Sequence, residues 1–355
     1  MRKRKRLWFL GLVVGGAFLL GAFIYISGPE LVWEEVRAVG LWGILAIVGN
    51  LIAVFAAWLL SWFVLLRSAG VRVPWKTLAG ALVSGFSVGY LTPSMHLGGE
   101  PVRAYVVADR AGVPMSLVMA TVVLERLVAA MALIGIAIMG GGFVIASGNV
   151  SSGDKQAVAV GLGIITVFLT LALVSFVGDW RLLSRGLAML SRRAPGRERM
   201  LRAADRVAEM EGEVHRALRF RLSHTLIALA LQLLLVFLNF LRPQVFFYFT
   251  QRTVFSFSQL SLYFTLNVFL TTILWLTPGG LGIAEGGRIG IFKLLGIRAS
   301  SAVAFSVVYR FVEFLIVGIG VLILLRWSAL RLLRALAGAG MRGQAAPGGE
   351  QYDDT

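Results

Sequence analysis

The stretch LTPSMHLGGEPVR, residues 91–103, returns 185 positions later (276 − 91) as LTPGGLGIAEGGR, residues 276–288. In both copies a glutamate stands seven residues after the proline and an arginine three after the glutamate: Pro93, Glu100, Arg103, then Pro278, Glu285, Arg288. Proline cannot donate a backbone hydrogen bond and disfavours the helical region for the residue before it, so each Thr-Pro ends its helix. Gly98 and Gly99 in one copy, and Gly279, Gly280 and Gly282 in the other, permit irregular backbone and close approach by a ligand. Each copy follows an apolar stretch, residues 78–91 and 259–276. The first of these makes only about 21 Å of helix, against a hydrocarbon core of about 30 Å.

The surroundings of the two copies set the solvent. The chain is 58% hydrophobic and 15% charged, with apolar runs of twenty residues and more, which describes an all-α polytopic membrane protein. Its formal net charge of +16 sits at the ends of apolar segments, in loops and in the tail. That placement reads as membrane topology and contact with anionic headgroups, and nucleic acid is not expected as a partner. With no cysteine, disulfides, thiolate metal sites and cysteine nucleophiles are excluded. His96, His215 and His224 show no ligand spacing, so neither a metal nor another cofactor is expected.

Six spanning helices are expected, at 7–27, 39–66, 115–147, 156–178, 224–249 and 300–326, within a membrane domain covering 1–335. A basic segment, 179–223, carries one amphipathic or solvated helix on the inner face, and residues 336–355 read as an unstructured tail. Six crossings place both termini in the cytoplasm. If the stretch 78–91 crossed alone, the arginines between 181 and 206 would face outside, against the positive-inside tendency. A lone crossing by 259–276 would strand Arg326, Arg331, Arg334 and Arg342 in the same way. Each stretch is therefore expected to enter, break at its Thr-Pro and return, with 100–111 and 285–295 as return arms. One hairpin follows two crossings and the other five, so repeats 39–147 and 224–326 are inverted relative to one another, the layout of many alternating-access carriers.

The restarting helices present free N–H groups and positive dipole ends, which suit an anionic group such as a lipid phosphate. Glu100 with Arg103, and Glu285 with Arg288, are i, i+3 neighbours able to share a helix face. Three readings stay open for them: ion pairs that hold the hairpins shut, arginines that receive a phosphate while the glutamates order them or exchange protons, or surface placement with no role. Further charges follow each hairpin, Glu125 and Arg126 in the first half and the i, i+3 pair Arg310 and Glu313 in the second. Ionisable groups at membrane depth are costly, which makes all of them functional candidates. Asn50, Gln232, Asn239, Arg242 and Asn267 read as interhelical hydrogen-bonding residues.

The runs from Gly89 to Gly135 and from Leu276 to Phe314 resemble the lysylphosphatidylglycerol synthase transmembrane-domain family, also called the flippase-like or UPF0104 family. The shared features are a proline followed by Gly-Glu-x-x-Arg, a later Glu-Arg, then Pro-Gly-Gly-x-Gly-x-x-Glu and a Tyr-Arg. The resemblance implies lipid handling, with a site of Pro93, Gly99, Glu100, Arg103, Glu125 and Arg126 in one half and Pro278, Gly279, Gly280, Gly282, Glu285 and Arg310 in the other. Nothing in the chain resembles the soluble aminoacyl-transferase domain of the full-length synthases, so synthesis of a lysyl-lipid is not expected.

The reading that results is a non-enzymatic carrier moving an anionic phospholipid or lipid-linked intermediate between the leaflets of the cell membrane. Arg103, Arg126, Arg288 and Arg310 would receive the headgroup phosphate in one central cavity. No GxxxxGK[ST] loop is present to couple it to ATP. The rival is a membrane glycosyl- or acyl-transferase with Glu100 or Glu285 as general base. A third reading is a membrane subunit that docks a soluble partner through 179–223.

Overall fold

A computed structural model describes residues 18–92, 97–146, 182–191, 197–273 and 278–343, together with isolated positions between 156 and 178. All regular structure among the described residues is helical: α1 (18–26), α2 (Pro29–Ala38), α3 (Gly40–Ser68), α4 (Trp75–Leu91), α5 (Glu100–Ala111), α6 (Met115–Ala146), α7 (Leu182–Ser191), α8 (Arg197–Phe220), α9 (Leu222–Phe240), α10 (Arg242–Gln251), α11 (Phe257–Ile273), α12 (Ile283–Leu294) and α13 (Ala299–Gly343). Among the described residues, four stretches are long and apolar enough to cross a membrane: Gly40–Ser68, Met115–Gly140, Leu222–Gln251 and Ala299–Trp327. The crossings expected at 7–27 and 156–178 lie largely outside the described residues.

The apolar sequence explains both faces of these helices. Along α3 the buried positions Ile47, Leu51, Val54, Ala57, Ser61, Trp62 and Leu65 recur at three- and four-residue steps, the stripe a helix presents to its neighbours. Its opposite side is equally apolar yet open, with Leu41, Ile52 and Leu60 exposed, as a lipid-facing surface requires.

Between the spanning helices lie two helix–break–helix hairpins. α4 ends at Leu91, a 3-10 turn covers Leu97–Gly99, and α5 returns from Glu100; α11 is described as far as Ile273, a 3-10 turn covers Pro278–Gly280, and α12 returns from Ile283. α4 is 17 residues long and each return arm 12, about 26 and 18 Å of helix, short of the hydrocarbon core; 17 residues of α11 are described. The hairpins pack reciprocally. α4 lies against α13 and α11 lies against α6, while each return arm, α5 or α12, packs on the long helix that follows it. The first arm of each hairpin thus rests on the other repeat.

Small residues make those contacts close. A Cβ at Gly99 would stand 1.8 Å from the Gly85 carbonyl oxygen, and one at Gly320 would stand 2.0 Å from Ser87 Oγ. These glycines set the spacing between the arms of the first hairpin and between α4 and α13.

Elsewhere the structure departs from the sequence expectations. The span expected at 224–249 is two helices, α9 and α10, interrupted at Leu241 where Pro243 enters the first turn of the second. A short helix, α2, precedes α3 with its apolar Trp33 and Leu31 exposed. The segment 179–223 holds two helices rather than one, α7 and α8 packed together, with Ser184 Oγ donating to Glu211 Oε2 at 2.5 Å. α13 continues to Gly343, past residue 335 where the tail was expected to begin.

Candidate functional site: a charged cavity between the repeats

Glu100 opens α5, and Arg103 follows one turn later on the same face. Arg103 Nε donates to Glu100 Oε2 at 2.5 Å and its Nη2 donates to Glu125 Oε2 on α6, also at 2.5 Å. The other oxygen of Glu100 accepts Arg126 Nε at 2.8 Å. Glu125 Oε1 receives Trp58 Nε1 and Gln232 Nε2, each at 2.9 Å. The Arg103 guanidinium lies over the rings of Trp62 and Trp58, at 4.7 and 5.5 Å. Arg103 and Glu125 are 1% and 0% exposed. Isolated charges at that depth would be prohibitive, and two carboxylates interleaved with two guanidinium groups offset one another.

The second hairpin repeats the central link. Glu285, fully buried at the start of α12, accepts the Gly282 N–H at 2.6 Å through Oε2 and Arg310 Nε at 2.5 Å through Oε1. Arg310 also donates to the carbonyl of Gly279 and to the hydroxyl of Tyr90, the residue before the end of α4. Tyr90 in turn donates to Glu313 Oε2 at 3.3 Å, and Glu313 Oε1 faces Arg242 Nη1 at 3.5 Å. Gly279 holds φ 59°, and a Cβ there would stand 2.5 Å from the Tyr90 ring. The two hairpins therefore meet, ring against glycine.

Of the i, i+3 pairs read from the sequence, Glu100 with Arg103 forms. Glu285 turns to Arg310 instead of Arg288, whose Nε donates to Asn267 Oδ1 at 3.2 Å; Glu313 turns to Arg242 and Tyr90 instead of Arg310. In each case a neighbouring helix brings a partner that spacing along one helix cannot reveal. Gln232 and Asn50 do bond between helices, Asn50 Nδ2 to the Leu238 carbonyl at 3.1 Å, while Asn239 bonds within α9 to Leu235. Pro93, His96 and Thr277 lie outside the described residues.

A cavity of about 450 Å³ opens beside the first cluster. Its polar wall is Glu100, Arg103, Glu125 and Arg126 from the first repeat with Gln232, Arg242 and Glu313 from the second; Leu51, Phe55, Leu133 and Val236 supply apolar wall. Arg126 is the most open of these charges, with 38% of its side chain exposed. Gly99 also lines it, whereas Gly279, Gly280, Gly282, Glu285, Arg288 and Arg310 do not. The expected ring of charges from both hairpins is thus divided: one group faces the cavity and the other closes on itself behind Tyr90. The sequence does not single out Trp58, and it marks Arg242 only as an interhelical hydrogen-bonding residue. The signal for both was a polar atom in an otherwise apolar helix. Among the described residues no group of three His, Asp or Glu side chains is arranged to hold a metal ion.

A family profile described as the lysylphosphatidylglycerol synthase TM region matches residues 8–320. A "UPF0104 membrane protein" of Methanothermobacter thermautotrophicus is 27% identical over 312 residues, covering 85% of this chain and 90% of the relative. No solved structure matches.

Proposed function

Because the chain belongs to the lysylphosphatidylglycerol synthase transmembrane-region family and is a multi-pass membrane protein, we propose that it moves an anionic phospholipid or lipid-linked intermediate between leaflets of the cell membrane. The observation that carries this reading is the cavity: one polar wall with a half-open arginine, the rest apolar, and a volume of about 450 Å³ that suits a headgroup. Arg126 receives the phosphate while Glu100 holds its guanidinium in place. The acyl or prenyl chain remains in lipid. The first arm of each hairpin rests on the other repeat, and transport on this reading proceeds by movement of one repeat against the other, in the manner of alternating-access carriers, with both termini in the cytoplasm.

The engagement of the carboxylates supports a carrier over a transferase. A general base needs a carboxylate oxygen within reach of a substrate proton. Both oxygens of Glu100 accept from arginines, and both oxygens of Glu125 and Glu285 are likewise occupied by donors.

The test is leaflet exchange of labelled phospholipids in liposomes containing purified protein, wild type beside a folded Arg126→Gln variant. Exchange with the wild type, slowed by about tenfold or more in the variant, is the expected result, since a charge-assisted hydrogen bond is at stake. Absence of exchange across anionic, aminoacylated and polyprenyl-phosphate lipids would overturn the proposal.

A further inference from the structure

Three arginines line the cavity, and they differ in what still remains for a ligand. Arg103 spends Nε and Nη2 on Glu100 and Glu125, and its buried Nη1 finds no acceptor among the described residues. Among the described residues Arg242, at the start of α10, pairs through Nη1 alone, with Glu313, at a distance beyond the usual N–H···O range, 3.5 Å. Its Nε is buried and also finds no acceptor among the described residues. Buried donors are nearly always satisfied, and these two orphaned guanidinium N–H groups belong to residues that line one cavity, one from each repeat.

We propose, resting on the lipid-transport reading, that Arg242 is the second-repeat half of an oxyanion site, and that Glu313 is the anion a substrate phosphate displaces from it. A tetrahedral phosphate matches the forked donors of a guanidinium, and it can meet Arg242 from the cavity side where Arg126 is open. Without ligand, Glu313 offsets the Arg242 charge loosely. With ligand, Glu313 keeps the Tyr90 hydroxyl as a donor, at 3.3 Å. Tyr90 is bonded to Arg310, and Arg310 to Glu285, so exchange of the Arg242 partner alters a chain of contacts that runs into the second hairpin. The Arg242 backbone is fixed meanwhile by Tyr309, whose hydroxyl donates to its carbonyl at 3.0 Å. The long pair is thus the displaceable one, and the short pairs around Arg103 and Arg310 are scaffold.

The test measures binding to the full chain in nanodiscs, using dihexanoyl phosphatidic acid, dihexanoylglycerol without phosphate, and inorganic phosphate. Wild type binds the phosphatidic acid in preference to the diacylglycerol. Arg242→Gln weakens that binding by about tenfold or more, and Arg242→Lys, which keeps the charge without the fork, by less. Glu313→Gln removes the competitor and tightens binding. Unchanged affinity in Arg242→Gln, or weakening in Glu313→Gln to match Arg242→Gln, would overturn the proposal. Inorganic phosphate bound as tightly as phosphatidic acid would overturn the lipid assignment of the site. If wild type binds as described yet exchanges no lipid between leaflets, transport falls and the site stands; if exchange proceeds and Arg242→Gln binds normally, this inference falls alone.

Discussion

Glu285 accepts Arg310 Nε at 2.5 Å from 25 positions earlier in the chain, and Glu100 stands in the same relation to Arg126 across 26. The glutamate that opens each return arm grips the arginine of the following long helix. Repetition therefore survives at the level of side-chain contacts as well as sequence. What differs is the position before that arginine: Glu125 precedes Arg126, and Tyr309 precedes Arg310. Arg103 consequently has a second carboxylate on its neighbouring helix, while Arg288 bonds to neutral Asn267.

That difference predicts unequal costs for two arginines that are equivalent in sequence. Arg103→Gln leaves Glu125 and Glu100 short of a buried partner, a loss of about 3–5 kcal/mol. Arg288 is only half-buried, and Arg288→Gln removes hydrogen bonds to neutral partners, Asn267 and the Tyr263 hydroxyl, a loss of about 1–2 kcal/mol. Thermal or denaturant unfolding in detergent checks this; equal destabilisation by the two variants refutes the assignment of Arg103 as scaffold.

Gly99→Ala is expected to disrupt the first hairpin, because its Cβ would stand 1.8 Å from backbone that cannot swing aside as a side chain does. Overpacking of this kind costs about 1–3 kcal/mol and upward. Gly290→Ala, in open space on α12, serves as the comparison and is expected to be neutral or slightly stabilising. Folded yield and melting temperature of the two variants decide the matter.

The hairpins were legible in sequence because local chemistry makes them: Thr-Pro stops α4 at Leu91, and Glu100 begins α5 after a glycine pair. The long helices were legible from their apolar length. The partners of Arg310 and Glu313 were not, since i, i+3 spacing shows which side chains share a face and is silent about the helix laid against it. Arg242 was legible as a charge in apolar surroundings, yet the break at Pro243 went unread inside the span 224–249, and the cavity exists only once α10 meets α13. The short helix α2 went unread because its ten residues mix charge with tryptophan and lack the long apolar run that marked the others.

Gln232 illustrates a polar residue whose worth lies in one charged acceptor. Its Nε2 reaches Glu125 Oε1 at 2.9 Å and Ser61 Oγ at 3.2 Å from a position 1% exposed. Gln232→Leu keeps the volume and withdraws the donor, so a loss of about 1.5–3 kcal/mol is expected for a hydrogen bond to a charged group. Gln232→Glu should be worse, since it sets a carboxylate beside Glu125. Melting temperatures in the order wild type, Leu, Glu check the prediction.

Tyr90 is where the two hairpins exchange contacts, and its hydroxyl can be removed without its ring. Tyr90→Phe keeps the packing against Gly279 and loses the bonds to Arg310 and Glu313. If that hydroxyl couples the cavity to the second hairpin, Tyr90→Phe and Glu313→Gln should be non-additive, with an interaction energy of about 0.5–3 kcal/mol in a double-mutant cycle on unfolding. Arg288→Gln, which has no part in that chain of contacts, should add to Tyr90→Phe within about 0.5 kcal/mol. Additivity in the first cycle would mean that Tyr90 holds the hairpins together by its ring alone, and that Glu313 communicates with Arg242 and no further.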